Sequence, residues 1–114
     1  MTTKRSKESL ATKARREERF LTGLLESPLT FGAAVEALRG RDGLSLTALA
    51  SRIGISKQYL CDVEKGRRLA STEQAARFAR AFKHPPALFV RLALQDDVRA
   101  SGLKLRVTVE EDAA

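Results

Sequence analysis

The sequence predicts an all-α protein with a five-helix core, a helical N-terminal arm and one C-terminal β-strand. Apolar residues recur at i, i+3, i+4 and i+7 in several stretches, as they do on the buried side of a helix. Serine or threonine precedes most of these stretches, where it can cap a helix. One stretch near the C-terminus alternates apolar and polar residues instead, which is typical of a strand. We therefore divide the 114 residues into an arm (1–29), a helical domain (30–100) and a tail (101–114).

The arm combines a polar, basic start with a stretch that can form a helix, over residues 1–9 and 9–27. The first half of that helix is almost entirely charged, and Phe20, Leu21, Leu24 and Leu25 stand near its end. Two interpretations stay open. The helix is solvated and its last turns dock on the core through these apolar residues, or the arm contacts phosphates or a partner protein.

Five helices are predicted in the domain, and the first three are short. Thr30 caps the first, which runs to about Gly40, and Ser45 caps the second. Gly54 can adopt a positive φ and end the second helix, and Ser56 caps the third. The predicted buried residues of these helices are Phe31, Ala34, Val35, Leu38, Leu46, Leu49, Ala50, Ile53, Leu60 and Val63.

The fourth and fifth helices follow a loop. Ser71 or Thr72 caps the fourth, and the run from Lys83 to Pro86 ends it. The fifth extends from about Ala87 to Arg99. Their predicted buried residues are Ala75, Phe78, Ala79, Phe82, Leu88, Phe89, Leu92 and Val98.

The tail carries the alternating pattern, with apolar residues at Leu103, Leu105, Val107 and Val109. The chain offers no second strand, and a lone strand leaves its backbone groups unpaired and its apolar side exposed. We therefore expect a homodimer in which these four residues form a two-stranded antiparallel ribbon with a second copy. The alternative is that the strand joins the sheet of another protein.

Composition narrows the class of partner. The net charge is +7, which favours a polyanion, with nucleic acid ahead of a membrane surface. No apolar run approaches the roughly 18 residues of a membrane span. The single cysteine excludes an intramolecular disulfide and suits a reducing cytosol, so we expect a cytoplasmic, nucleoid-associated protein. One tyrosine and no tryptophan provide few aromatic rings on which bases can stack, so the composition disfavours binding of single-stranded nucleic acid.

Residues 46–66, LTALASRIGISKQYLCDVEKG, combine a helix, a tight turn and a second helix. The second helix has an outer face with Lys57, Gln58, Cys61 and Asp62 opposite its buried residues. A short helix with a polar outer face fits the major groove. This stretch therefore predicts a helix-turn-helix that binds double-stranded DNA.

Residues 31–90 resemble the helix-turn-helix of the Cro and phage-repressor type, the Xre family. The block GISKQYLCDVEKG carries the resemblance, together with the STEQAARFARAF helix and the proline-led fifth helix. The resemblance implies an ion pair between Arg39 and Glu64, and base contacts from Lys57, Gln58 and Asp62, with Cys61 between them. It also implies phosphate contacts from Ser45, Ser56, Tyr59, Lys65, Arg67 and Arg68.

Two positions depart from the family pattern. Leu46 stands where the family often has a phosphate-binding glutamine, so that contact is not expected here. Asp62 carries a charge that phosphates repel. It either accepts a hydrogen bond from a cytosine amino group or pairs with a nearby basic side chain.

Function follows from these features as an expectation. We expect a homodimeric transcriptional regulator, an autorepressor reading an inverted repeat, with an antitoxin that also binds a toxin protein as the alternative. We do not expect an enzyme, a cofactor or a metal site. His84, the single histidine, is interpreted as a solvated turn residue, and Cys61 as a small residue on a helix surface.

Overall fold

The computed structural model describes residues 15–16, 19–20 and 29–112. Within residues 29–112 the chain forms five helices, which confirms the predicted five-helix core. They are α1 (Phe31–Arg41), α2 (Leu46–Ile53), α3 (Lys57–Glu64), α4 (Thr72–Ala81) and α5 (Pro86–Ala100). No helix in the described part of the chain has the length and apolar character needed to cross a membrane.

Side-chain caps set the start of four of the helices. The hydroxyl oxygens of Thr30, Ser45, Ser56 and Ser71 each accept a hydrogen bond from the backbone N–H three residues later, at 3.0–3.1 Å. These bonds satisfy donors that the first turn of a helix leaves unpaired. The fifth helix begins at Pro86, where the missing N–H costs nothing.

The core lies where α1, α4 and α5 meet. Phe31 contacts Phe78 and Phe89 edge to face, with ring centroids 5.2 and 6.2 Å apart. Phe82 stacks on Phe89 at 5.9 Å. Nearly all the residues predicted to be buried belong to this core.

Two of the predicted core residues are only partly buried. Leu46 packs against the edge of the core, and Val98 lies near the end of α5, where less of the domain covers it. Ala93 and Gln95 are the buried residues on α5 that the sequence pattern did not indicate.

The predicted C-terminal strand does not form within the single chain. Residues 103–112 contain no assigned helix or strand. A strand requires a backbone partner, and no other described segment of the chain supplies one. The buried amide of Gln95 substitutes for it locally: its Nε2 donates to the carbonyl of Leu105, and its Oε1 accepts from the N–H of Val107, both at 2.8 Å.

The arm is described at only four positions. Residues 15–16 and 19–20 are helical and exposed, and the guanidinium of Arg41 lies 5.2 Å from the centre of the Phe20 ring. The predicted docking residues Leu21, Leu24 and Leu25 lie outside the described residues. The choice between a docked helix and a contacting arm therefore stays a prediction.

The interpretation of His84 as a solvated turn residue is wrong. The residue is only partly exposed, and its ring stacks on Phe89 at 6.5 Å. Its Nε2 lies 3.4 Å from a guanidinium nitrogen of Arg41. The turn after α4 folds back on the core, because the N–H of His84 donates to the carbonyl of Ala79.

Candidate nucleic-acid interface

The turn between α2 and α3 is tight because Gly54 adopts the left-handed conformation, with φ of 87°. The N–H groups of Gly54 and Ile55 both donate to the carbonyl of Ala50, at 2.8 and 3.0 Å, which ends α2. Ser56 then caps α3 directly. The two helices are therefore joined by three residues whose geometry is determined by hydrogen bonds.

The inner face of α3 is held against α1 by close packing. Leu60 and Val63 are buried. Gly32 of α1 lies so near the end of α3 that a Cβ there would collide with the carbonyl oxygen of Val63 and come within 2.8 Å of that of Glu64. Only glycine allows this approach.

An ion pair joins the same two helices. Arg39, on α1, donates from Nε to Glu64 Oε2 at 2.7 Å and from Nη2 to Oε1 at 3.0 Å. Its Nη1 also donates to the carbonyl of Leu44 at 3.0 Å. The hydrogen bond to Glu64 raises the pKa of Arg39 above its ordinary value, while partial burial acts in the opposite direction. The residues that the resemblance pairs are therefore in bidentate contact, and they orient α3.

The outer face of α3 carries the three residues predicted to reach bases, with Cys61 between them. Lys57 and Gln58 are exposed in its first turn, and Cys61 and Asp62 are half-buried one turn later. The amide nitrogen of Gln58 donates to Asp62 Oδ1 at 3.0 Å. The structure thus brings together all four side chains on one face, with Lys57 and Gln58 the most accessible.

Arg67 extends this face from outside α3. Its Nε and Nη2 lie 3.1 and 3.0 Å from Asp62 Oδ1, and Nη2 is 3.9 Å from Cys61 Sγ. Asp62 therefore does pair with a nearby basic side chain, one of the two interpretations left open by the sequence. Its Oδ2 accepts no hydrogen bond from any described residue, so base contact by Asp62 stays a prediction.

Sequence reasoning assigned Arg67 to phosphates and missed its place beside Asp62. The signal was Gly66, which adopts a φ of 78° just after α3. This conformation turns the chain back, so that the N–H of Arg67 donates to the carbonyl of Asp62 at 2.8 Å. A glycine immediately after a helix, followed by arginine, could have indicated that the arginine returns to the last turn.

The other predicted phosphate contacts surround this face. Ser45 and Ser56 use their oxygens to cap α2 and α3, and each hydroxyl can still donate a hydrogen bond. Arg68 lies over the Tyr59 ring, 5.1 Å from its centre, and Lys65 is exposed. Leu46 is partly buried and packs against the core.

Across the described ranges, no group of three or more metal-ligating side chains is close enough to hold an ion. Cys61 is a free, half-buried thiol beside Arg67. The face and the loop that follows α3 combine four cations, Lys57, Lys65, Arg67 and Arg68, with the side chains of Gln58 and Asp62, which suits recognition of a polyanion.

Comparison with known proteins agrees with this geometry. The family model described as a helix-turn-helix domain matches residues 30–92, more than half of the chain and all of α1 to α4. No curated protein and no solved structure matches the chain. The matched segment includes the α2–turn–α3 unit, and its family supports DNA as the polyanion. This chain therefore belongs to the helix-turn-helix domain family.

Proposed function

We propose that this protein is a transcriptional regulator of the Xre/Cro kind, which binds a specific site on double-stranded DNA as a homodimer. The observation that carries the proposal is the outer face of α3, where Lys57 and Gln58 project from a helix whose inner face is fixed by Gly32 and the Arg39–Glu64 pair. A rigid helix pair presents these side chains in a defined orientation, which base recognition requires.

The division of labour on this face follows from exposure and charge. Lys57 and Gln58 read base edges: lysine donates to guanine acceptors, and the glutamine amide suits adenine. Lys65 and Arg68 contact phosphates and provide most of the affinity through counterion release. The dimer represses transcription without catalysis, because it occludes a promoter when it is bound there. We propose that the promoter of its own gene is one target.

The first experiment uses fluorescence anisotropy to compare the affinity for an operator, obtained by selection from random sequences, with the affinity for a random duplex. Gln58→Ala and Lys57→Ala are each expected to weaken operator binding by roughly 1–3 kcal/mol and to change random binding little. Lys104→Ala, which removes an exposed lysine from the tail and leaves the tail backbone and its leucines unchanged, is the charge control. Equal losses on both duplexes would overturn base reading by these residues.

The second experiment measures the salt dependence of binding. Arg68→Ala is expected to weaken binding to both duplexes and to flatten the slope of log K against log salt by about one. An unchanged slope would remove Arg68 from the phosphate contacts. Footprinting upstream of the gene itself tests autorepression, since two protected half-sites about 34 Å apart indicate a symmetric dimer.

The homodimer is proposed from the C-terminal segment. Gln95, 6% exposed, holds Leu105 and Val107 through backbone groups on one edge of the chain. In an extended segment the backbone groups of residues 104, 106 and 108 face the opposite edge, and they form no backbone hydrogen bond with described residues. Leu103 and Leu105 are 50% and 62% exposed. A second copy paired antiparallel along this edge would bond the backbone and cover both leucines.

Sedimentation velocity tests the dimer. Removal of residues 103–114 is expected to give a monomer that binds the operator much more weakly, and Leu105→Lys should act in the same direction. Leu69→Lys, at another exposed leucine, is the matched control and should remain dimeric. A truncated chain that still dimerises would exclude the ribbon.

The same exposed edge also favours a second candidate function, that of an antitoxin whose tail or arm binds a toxin protein. In that case the unpaired edge joins a strand of the toxin, and the DNA face serves autorepression. Expression of the full chain with its neighbouring gene distinguishes the two. A stable one-to-one complex that is lost with Leu105→Lys supports the antitoxin, whereas a dimer unaffected by the neighbouring product supports the regulator alone.

A further inference from the structure

A basic concavity lies between α2 and α4, apart from the outer face of α3. It is open to solvent, has a volume of about 590 Å³ and is lined by Arg52, Ile53, Arg77, Arg80, Ala81 and Lys83. Four of these six residues are cations and none is acidic, and none belongs to α3. We refer to it below as the α2–α4 cavity. The DNA-binding proposal does not use it.

Three of the four cations that line the α2–α4 cavity form no ion pair with a described residue. These are Arg52, Arg77 and Arg80, and all three are exposed. Arg77 and Arg80 stand at i and i+3 on α4, where like charges repel. Glu73 precedes Arg77 by four residues, the favourable arrangement for a helix ion pair, yet the two form none.

Helix dipoles explain only part of this cluster. Arg52 and Arg80 occupy the last turns of α2 and α4, where a cation stabilises the helix end. Arg77 lies in the middle of α4 and gains nothing from that effect. It is therefore the residue that best separates ligand binding from helix stabilisation.

Backbone geometry at Lys83 adds a second observation. Lys83 has a φ of 59° and is the only residue other than glycine with a positive φ in the described ranges. The turn after α2 uses Gly54 for the same conformation. A left-handed lysine is disfavoured relative to glycine, and such outliers gather at functional sites. The conformation places a fourth cation at the wall of the cavity.

We propose that the α2–α4 cavity binds a small molecule with two or more adjacent phosphate groups. Its volume lies within the range of small-molecule sites, about 300–1,000 Å³. One phosphate carries a charge of about −1.5 to −2, so four cations match roughly two phosphates. Guanidinium groups bind phosphate oxygens in pairs, which favours arginine over lysine at such a site. A concave shape with no α3 residue in its lining favours a small ligand over a rigid duplex.

Calorimetric titration of the full chain with inorganic pyrophosphate, at constant ionic strength, tests the proposal. The titration should give one pyrophosphate ion per chain and a weaker affinity for inorganic phosphate. In a separate thermal unfolding experiment, pyrophosphate should raise the unfolding temperature. Arg77→Gln should lower the affinity for pyrophosphate about ten-fold or more, the size of one lost charge-assisted contact. Arg106→Gln removes the same charge from the tail and should leave the affinity unchanged.

Three results would overturn the proposal. The first is equal weakening by Arg77→Gln and Arg106→Gln, since binding would then depend on net charge alone. The second is the absence of saturable pyrophosphate binding. The third is a DNA result: the chain does not bind pyrophosphate, and Arg77→Gln flattens the slope of log K against log salt on a 40-base-pair duplex. The cavity would then be a further contact for the DNA backbone. Arg77→Lys serves as the conservative variant, and partial recovery of the affinity would support the site.

Discussion

Glu64 and Asp62 lie two residues apart on α3, and each pairs with an arginine, but on opposite faces of the helix. On the inner face, the Glu64 side chain is 5% exposed and receives two hydrogen bonds from Arg39 of α1. On the outer face, the Asp62 side chain is 24% exposed, and only its Oδ1 contacts Arg67. The first pair joins two helices, and the second connects α3 with the loop that follows it.

The difference shows how one short helix separates stability from recognition. A buried ion pair is costly to break because the remaining charge is left without a partner or water. An exposed pair contributes little to stability, so its side chains can exchange partners when a ligand arrives. We therefore expect substitutions on the inner face to lower the stability of the domain, and substitutions on the outer face to change mainly binding.

Gly32→Ala should have the largest effect. The added methyl group would meet the carbonyl oxygens of Val63 and Glu64, so α1 and α3 must move apart. We expect a loss of about 3 kcal/mol in the free energy of unfolding, measured by urea denaturation. Gly40→Ala, on the same helix with nothing within 4 Å of the new Cβ, is the matched control and should be neutral or stabilising. Similar losses in both variants would refute the close approach of the two helices.

Glu64→Gln should have the next largest effect. It removes the charge that faces Arg39 and leaves the guanidinium partly buried, so we expect a loss of about 2 kcal/mol. Asp42→Asn alters an exposed pair with Arg41 and should cost less than about 0.5 kcal/mol.

The double variant Arg39→Met/Glu64→Leu sharpens the interpretation of this result. Because it leaves no buried charge, it should be more stable than Glu64→Gln alone. The natural chain, Glu64→Gln and the double variant are compared. If the double variant were the least stable of these, the ion pair itself would stabilise the domain more than its desolvation costs.

Asp96 provides an intermediate case through its pH dependence. Burial raises the pKa of Asp96, against the opposing effects of the Phe31 N–H bond to its Oδ2 at 3.0 Å and of Arg99, whose Nη1 is 3.6 Å from Oδ1. Below the ordinary aspartate pKa, about 3.9, the group is protonated in both states. As the pH rises from there to the folded-state pKa, the unfolded chain releases its proton first, so stability falls.

Asp96→Asn removes this titration. Its stability relative to the natural chain should therefore increase between pH 3 and pH 7, measured by thermal unfolding at several pH values. Asp97→Asn, which removes the carboxylate of the exposed neighbour, is the control for the loss of one charge from α5. A relative stability of Asp96→Asn that falls with pH would mean that Arg99 and the Phe31 N–H outweigh burial.

Local patterns were sufficient to predict the helices, their caps and the outer face of α3. The apolar stripes and the serine caps act within one or two turns, so periodicity detects them. Gly32 carried no local signal, because its role arises from a carbonyl on a helix that begins 25 residues later.

The hydrogen bonds of Gln95 to the tail backbone also could not be predicted from the sequence. The tail has the period of a strand, but a strand also needs a backbone partner, which periodicity cannot supply. In the single chain a side chain of α5 takes that place. The basic residues of the α2–α4 cavity are separated by up to 31 positions, so only the fold brings them together.

Asp62→Asn should have the smallest effect on stability and the most informative effect on binding. The exposed pair with Arg67 is worth less than about 0.5 kcal/mol, so the urea midpoint should barely change. Without the carboxylate, Arg67 is free to neutralise a phosphate, and one repulsive charge is gone from the face. Affinity for a random duplex should then rise, and the salt slope should steepen by about 0.9, the value for one further phosphate. A loss of operator affinity alone, with random binding unchanged, would instead place Asp62 on a base, and the inner and outer carboxylates of α3 would differ in ligand as well as in burial.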